Sequence, residues 1–226
     1  MTQSGPKSGP IIGITADLSD SRIKLSPAYA DAVVRAGGIP VVLPPVLEAV
    51  PALLEACDGL ILSGGDDPIM KEWGRPTHPG AQKVEPLRQA FDLAVYRLAC
   101  ERDTPILGVC LGMQFMGLDA GGELDQHLPD SWPTAEMHLG GQQHEVSGSL
   151  GVGSVHSRHH QAMRSSGSFD VVAIASDGVI EAIADQSAAF RVGVQWHPER
   201  SGEGPLGAML FNQLILAAGG VHHAAS

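Results

Sequence analysis

The first half of the chain alternates short, continuous apolar runs with segments whose apolar residues recur at helical spacing. The apolar runs predict strands buried on both faces, and they occupy residues 10–15, 39–43, 59–63 and 105–109. The helical segments between them begin near Pro27, Glu48 and Pro86. Because parallel strands need a long crossover, usually a helix, this alternation predicts an α/β fold with a parallel sheet and the 105–109 strand at its centre.

The second half has a different pattern. Short segments rich in Val and Ile between residues 144 and 195, such as 170–176 and 179–184, predict antiparallel hairpins added to the sheet. Asp177-Gly178 lies between two of these segments and favours a two-residue hairpin turn. A last helix is expected over residues 205–218.

The domain boundaries follow from composition. Residues 1–9 are rich in Gly, Ser and Pro and are expected to form a disordered lead. Residues 10–220 contain no linker or repeat and are expected to form one domain, followed by a small-residue tail at 221–226. Residues 66–84 are irregular and contain Pro, Gly, Trp and His, which suits a loop over a site.

The charge and cysteine content exclude several classes of protein. The formal net charge is −11 and no Lys/Arg cluster offsets it, so a nucleic acid is not expected as a partner. No run approaches the roughly 18 to 20 apolar residues of a spanning helix, so a membrane is not expected either. Three cysteines are too few, and odd in number, for a disulfide framework. We therefore expect a soluble, cytoplasmic protein.

The segment Gly108-Val-Cys110-Leu-Gly112 lies between a buried strand and an apparent helix. A G-x-C-x-G segment at such a junction is the cysteine form of a nucleophile elbow, in which glycines allow a sharp turn that exposes the side chain. The helix N-terminus would favour the thiolate of Cys110 over the thiol. The alternative is a buried structural cysteine, and we expect that role for Cys57 and Cys100 on the predicted helices.

A nucleophilic thiolate needs a base, and the base needs an orienting acceptor. The run Gln195-Trp-His197-Pro-Glu199 ends a predicted strand, and side chains two apart in extended chain point the same way. We therefore expect Glu199 to orient His197, and His197 to serve Cys110. The alternative is a satisfied, partly buried histidine beside a solvated acid.

Ser63-Gly64-Gly65-Asp66 follows another buried strand, at the sheet edge where α/β folds place their sites. Backbone N–H groups of Gly64, Gly65 and Leu111 could stabilise an oxyanion there. By itself, a Gly-Gly pair after a strand is equally typical of a plain turn.

Together these motifs resemble the class I glutamine amidotransferase family. The shared features are the G-x-C-x-G-x-Q frame around Cys110, the earlier S-G-G loop and the late W-H-P-E. Further segments are similar to the γ-glutamyl-γ-aminobutyrate hydrolase group, also called peptidase family C26: Gly37-Gly-Ile-Pro40, Leu43-Pro-Pro45, Ser157-x-His159-His160-Gln161-Ala162, Ser176-Asp-Gly178 and Ile180-Glu-Ala-Ile183.

The resemblance implies a flavodoxin-like three-layer sandwich with a mainly parallel central sheet and antiparallel hairpins in the C-terminal half. It implies Cys110 as nucleophile, His197 as base and then acid, and Glu199 as the orienting carboxylate, with Gly65 and Leu111 at the oxyanion. It also places four side chains near the glutamyl part of the substrate: Gln114, His159, His160 and Gln161. No cofactor is implied.

The implied activity is hydrolysis of a small γ-glutamyl amine, such as γ-glutamyl-γ-aminobutyrate, in polyamine catabolism. Leu111 departs from the arginine that is common in this group and matches synthetase-linked amidotransferases. One alternative is therefore a glutaminase subunit that delivers ammonia to a separate synthetase, and another is a non-catalytic binding protein on the same fold. A homodimer is compatible with each of them.

A metal site is a separate question. His156, His159 and His160 are close in sequence, but no nearby Cys, Asp or Glu completes a known spacing of ligands. A thiolate hydrolase needs no metal. The sequence therefore predicts no metal site.

Overall fold

The computed structural model describes residues 9–221. These residues form thirteen strands: β1 Ile11–Thr15, β2 Asp17–Ser19, β3 Arg22–Lys24, β4 Ile39–Leu43, β5 Gly59–Leu62, β6 Ile106–Val109, β7 Glu123–Asp125, β8 Gln142–Gly148, β9 Gly151–Ser157, β10 Ala162–Ser165, β11 Asp170–Ala175, β12 Ile180–Ala184 and β13 Arg191–Val194. They form six α-helices: α1 Pro27–Arg35, α2 Val50–Glu55, α3 Pro86–Glu101, α4 Leu111–Asp119, α5 Leu128–Ser131 and α6 Ala208–Val221. They also form four short 3-10 helices: Leu47–Ala49, Met70–Trp73, Ala135–His138 and Pro198–Arg200.

One eleven-stranded sheet organises the molecule. Its main path is β4-β1-β5-β6-β13-β12-β11-β8-β9, and β10 joins β7 to β12 beside this path. The strands from β4 to β13 are parallel. Beyond β13, the strands β12, β11, β8 and β9 pair antiparallel. The predicted α/β class, with a parallel centre and hairpins from the C-terminal half, is confirmed, and β6 lies near the middle of the path.

Helices cover both faces of the parallel part. On one face, Val33 of α1 and Leu214 of α6 belong to the same core cluster as Ile14 of β1. On the other face, Phe91 of α3 packs in a cluster with Leu62 of β5. All four residues of β5 and of β6 are buried, because helices lie on both sides of them. This is the three-layer arrangement that the resemblance implied.

Helix α3 shows how the sequence sets a boundary. Pro86 occupies the first turn, where its missing N–H leaves no partner unsatisfied. The Glu85 carboxylate accepts from the N–H groups of Leu87 and Arg88, at 2.6 and 3.2 Å. The helix therefore begins at a defined residue, which fixes the inward direction of Arg88.

Two predicted details differ from the structure. The β11–β12 connection is a three-residue loop, 176–178, because the N–H of Ala175 bonds the carbonyl of Val179 and the N–H of Gly178 bonds the carbonyl of Ala175. Gly178 takes the left-handed conformation with φ 92°, so the predicted two-residue turn is wrong by one residue. Helix α6 starts at Ala208 instead of residue 205, because the preceding residues form hydrogen-bonded turns.

The predicted lead and tail lie almost entirely outside the described residues. The expected loop 66–84 contains one short 3-10 helix, Met70–Trp73, and an isolated bridge between Asp67 and Lys83. Within residues 9–221, every helix is too short or too polar to cross a lipid bilayer.

Candidate active site

Cys110 lies at the turn between β6 and α4. Its backbone has φ 50° and ψ −103°, a conformation that a non-glycine residue adopts only under strain of about 1–3 kcal/mol. The surrounding glycines allow the tight approach, because a Cβ on Gly112 would collide with the carbonyl oxygen of Leu62. The N–H of Cys110 bonds the carbonyl of Val194, at 2.8 Å, which fixes the turn to the adjacent strand β13. Cys110 is 7% exposed and borders a cavity.

His197 follows the end of β13 and lies near both of its predicted partners. Its Nδ1 lies 2.9 Å from Oε1 of Glu199, which is buried on the 3-10 helix Pro198–Arg200. Its ring lines the same cavity as Cys110, and a Cβ built on Gly64 would lie 3.2 Å from Cε1 of His197 and 3.6 Å from Cβ of Cys110. Burial lowers the pKa of His197, but the hydrogen bonds to Cys110 and Glu199 raise it by more, to about 10. The structure thus places Cys110 and His197 at one cavity, with the Glu199 carboxylate against the ring of His197.

A fourth side chain touches the thiol. The Gln195 amide nitrogen lies 3.4 Å from Sγ of Cys110, and the Gln195 amide oxygen accepts from Gln114, at 3.2 Å. Gln195 is fully buried. Gln195 is not among the predicted site residues, although its position two residues before His197 in extended chain was an available signal. Its amide places a donor against the sulfur on one side of the cleft.

The Ser63–Gly65 segment follows β5 and faces the thiol. The N–H of Gly64 already donates to the hydroxyl of Tyr29, at 3.0 Å. A Cβ on Gly65 would lie 2.9 Å from Cδ2 of Leu111, so these two residues are in close contact. Of the three predicted oxyanion residues, Gly65 and Leu111 therefore adjoin each other beside Cys110, whereas the N–H of Gly64 serves Tyr29.

A buried ion pair supports this segment from below. Arg88 Nε lies 2.8 Å from Oδ2 of Asp92, and both side chains are fully buried. Arg88 Nη2 also donates to the carbonyl and hydroxyl oxygens of Ser63, at 3.2 and 3.1 Å. Burial raises the pKa of Asp92 to about 6, an effect that Arg88 and Thr15 offset only in part. Sequence reasoning missed this pair, although Arg and Asp four apart on a helix was a usable signal.

A cavity of about 490 Å³ opens beside Cys110 and His197. Its wall carries both signs of charge: the carboxylates of Asp66 and Asp67 and the guanidinium groups of Arg158 and Arg200. Nε2 of His160 lies 2.8 Å from Oδ2 of Asp67. The arrangement suits a ligand that carries both an amino group and a carboxylate.

The four predicted glutamyl contacts line an inner recess next to Cys110. Within it, Gln161 already donates to the carbonyl of Gln126, and Nε2 of His159 faces Glu181 at 3.4 Å. Gln114 is engaged with Gln195, as described above. His160 has the most exposed side chain of the four, with 32% of it accessible.

A second cavity, of about 390 Å³, also borders His197 and Gly65. Lys24 and Arg200 supply positive charge to its wall, and Asp17 and Glu199 supply negative charge. His197 therefore borders both this second cavity and the cavity of about 490 Å³, whereas Cys110 borders the cavity of about 490 Å³ and the inner recess.

The three histidines that are close in sequence do not converge. His156 lies near His197, with ring centroids 6.3 Å apart, and His160 pairs with Asp67. His159 instead joins His138, His144 and Glu181 in a buried group of side chains that could ligate a metal. A second such group, His78, His127 and Asp130, is partly exposed.

Several known proteins are similar to this chain. The family model described as Peptidase C26 matches residues 10–199. A protein of Mycobacterium tuberculosis named "Putative glutamine amidotransferase Rv2859c" is 34% identical over 237 aligned positions, which cover 94% of this chain and 76% of that protein. The γ-glutamyl-γ-aminobutyrate hydrolase PuuD of Escherichia coli (strain K12) is 30% identical over 252 positions, which cover 96% of this chain and 95% of that protein.

A solved structure resembles the fold alone. The crystal structure of a "putative gmp synthase subunit a protein" from Thermoplasma acidophilum has a TM-score of 0.68 and 16% sequence identity, and the match covers 94% of this chain and 96% of that one. The family model matches most of the chain, and relatives are 30% identical or more. Together these matches show the family. The chain belongs to the peptidase C26 family, among relatives named as glutamine amidotransferases and γ-glutamyl hydrolases.

Proposed function

We propose that this chain is a cysteine hydrolase that cleaves the γ-amide bond of a small γ-glutamyl amine. The observation that carries the proposal is the strained turn at Cys110. His197 lines the same cavity, and the Glu199 carboxylate contacts the ring of His197. Strain of this kind is retained where a side chain must face a reacting atom. The family and the hydrolase PuuD at 30% identity support the same chemistry.

In the proposed reaction, the Cys110 thiolate attacks the γ-carbonyl carbon, and the N–H groups of Gly65 and Leu111 stabilise the oxyanion. His197 gives its proton to the departing amine as the C–N bond breaks, which leaves a γ-glutamyl thioester on Cys110. His197 then takes a proton from water, the resulting hydroxide attacks the thioester, and glutamate leaves as the thiolate is restored. Glu199 holds the ring of His197 throughout.

The charges of the two cavities favour a particular orientation. Asp67 and Arg158, in the recess next to Cys110, suit the α-amino and α-carboxylate groups of the glutamyl part. Lys24 and Arg200, in the second cavity that borders His197, offer cations to an amine that carries a carboxylate of its own, beside the acids Asp17 and Glu199. We therefore propose γ-glutamyl-γ-aminobutyrate, or a similar acidic amine conjugate, as the preferred substrate.

A panel of γ-glutamyl compounds tests the proposed function. We expect kcat/KM to be about tenfold or more higher for γ-glutamyl-γ-aminobutyrate than for a γ-glutamyl alkylamine, because the alkylamine lacks the charged contact. An α-linked glutamyl isomer serves as the matched control and should not be cleaved. Turnover of free glutamine alone would favour a glutaminase subunit, and no turnover of any compound would favour a binding protein. Either result contradicts the proposal.

The raised pKa of His197 predicts the pH dependence. His197 must be protonated to release the amine, so we expect kcat/KM to fall as pH rises through about 10. The Glu199→Gln variant loses the carboxylate that helps to hold the proton, so its decline should begin at lower pH. Steady-state rates between pH 7 and about 11 measure this decline in the parent protein and in the variant. Glu203→Gln, at an exposed acid nearby, is the control. If kcat/KM declined at the same pH in Glu199→Gln as in the parent protein, Glu199 would not be the partner of His197.

A further inference from the structure

Four buried side chains converge, and of these only His159 also lines the recess next to Cys110. His138 ends the 3-10 helix Ala135–His138, His144 lies on β8, His159 follows β9, and Glu181 lies on β12. None of the four is more than 5% exposed. From Oε1 of Glu181, the nearest nitrogens of the three histidines lie at 3.2, 3.3 and 3.4 Å.

Each ring has an inner nitrogen, which faces Glu181, and an outer nitrogen, which faces away from it. In a neutral ring only one of the two carries a hydrogen, so the partner of the outer nitrogen determines the state of the inner one. Nδ1 of His144 lies 3.3 Å from the carbonyl of Glu145, and Nδ1 of His159 lies 2.9 Å from the carbonyl of Gln161. A carbonyl oxygen only accepts, so both of these nitrogens carry a hydrogen. Nε2 of His138 lies 3.0 Å from the carboxylate of Asp177, which gives this ring the same assignment.

In its neutral form, each ring points a bare lone pair at Glu181. Among the described residues, the inner nitrogens of His138, His144 and His159 and both carboxylate oxygens of Glu181 are buried without a hydrogen-bond partner. Four acceptors that face each other repel, and protonating all three rings would bury more positive charge than Glu181 balances. A divalent cation at their centre would take one lone pair from each of the four residues.

The spacing indicates which cation fits. Zinc binds His nitrogen and carboxylate oxygen at about 2.0–2.1 Å, so neighbouring ligands of a tetrahedral site lie about 3.3–3.4 Å apart. The three measured nitrogen-to-oxygen distances, 3.2 to 3.4 Å, match that edge. All four ligand atoms lie within 4.8 Å of one another. The second partners of the rings, a carboxylate and two carbonyls, are those that zinc-bound histidines commonly have.

We propose that His138, His144, His159 and Glu181 form a closed, structural zinc site. Four protein ligands leave no position for water or substrate, so the metal would serve the fold and not the reaction. It would join the 3-10 helix at 135–138, β8, β12 and the segment after β9. That segment carries Arg158 and His160 into the wall of the cavity beside Cys110, so the metal would fix the position of this wall.

The test measures metal in the untagged chain, grown with added zinc and dialysed. The side chains of His78, His127 and Asp130 are partly exposed and could bind metal weakly. All measurements therefore use the His78→Ala/His127→Ala double variant as the parent protein. In this background we expect about one zinc per chain by elemental analysis. His144→Ala and Glu181→Gln should lose it, whereas the control His156→Ala should retain it.

A second measurement guards against variants that fail to fold. His144→Cys keeps a zinc ligand, so it should retain the metal, and its cobalt-substituted form should add a thiolate-to-cobalt charge-transfer band to the visible bands of tetrahedral cobalt. Removing the metal from the parent protein with a chelator should lower Tm by at least about 5 °C, and zinc should restore it.

Two results would overturn the proposal. One is a folded parent protein that contains no zinc and, after chelation, shows neither a Tm change with zinc nor tetrahedral cobalt bands. The other is zinc whose content does not change in His144→Ala and Glu181→Gln. Neither result depends on enzymatic activity, so the zinc site and the proposed hydrolase fail or stand separately.

Discussion

The Cys110→Ala variant is expected to lose glutamate release by at least about 10⁴-fold, because no other group in the cleft can form the thioester. Its backbone can keep the same strained turn, since the change removes only the sulfur. The measurement is kcat on the preferred γ-glutamyl substrate, with circular dichroism and Tm to show that the fold is intact. Retention of activity in this variant would contradict the proposed mechanism.

Cys57→Ala and Cys100→Ala provide matched controls on the same chain. Burial, followed by the charge of Asp58, raises the pKa of Cys57 to about 11, and burial also raises the pKa of Cys100. Both thiols therefore stay protonated at neutral pH, and both variants should keep full activity. A glutamine-like electrophile should add to Cys110 alone, as mass spectrometry of digested protein would show. Modification of Cys57 or Cys100 in its place would count against Cys110 as the nucleophile.

The Arg88→Met variant is expected to lower the free energy of unfolding by about 3–5 kcal/mol, because it leaves the Asp92 carboxylate buried without its partner. It should also reduce kcat, since Arg88 holds the Ser63 end of the segment that contains Gly65. Arg97→Met, on the exposed side of the same helix, removes ion pairs to Glu72 and Asp119 and should change stability by only about 0–1 kcal/mol.

The loss in Arg88→Met should depend on pH. The pKa of Asp92 in the folded protein, about 6, lies above its ordinary value of 3.8, so folding favours the protonated form and stability falls as pH rises through this range. Without Arg88 the pKa rises further, and the penalty should be larger at pH 8 than at pH 5. Urea unfolding at both values measures this, and adding Asp92→Asn should recover part of the loss. A pH-independent loss would show that Asp92 is not its source.

The sequence predicted the fold because its strands are continuous apolar runs separated by helices with clear boundaries. The residues of β5 and β6 are apolar on both faces and needed no partner to be recognised. The β11–β12 turn was placed one residue too tightly, because the pattern around Asp177-Gly178 does not distinguish a two-residue loop from a three-residue loop that ends in a left-handed glycine.

The site was predictable where a local motif carries it, and not where distant segments meet. The glycines around Cys110 and the spacing of His197 and Glu199 are local signals. The contacts of Gln195 with Gln114, and of Arg88 with Ser63, join residues far apart in the chain. His156, His159 and His160 are close in sequence, but they do not form one site. The β8–β9 hairpin pairs His144 with Val155, and His159 groups with His144, His138 and Glu181.

The pairing of β6 with β13 also bears on how the protein matures. Val109 and Val194 lie opposite each other in the register, so the thiol and its proposed base enter the cleft from adjacent strands. Those strands lie far apart in the sequence, and β13 is the last strand of the described residues. During folding, the thiol of Cys110 therefore has no neighbouring His197 until β13 has paired with β6. The proposed catalytic contacts form only when this part of the sheet is complete.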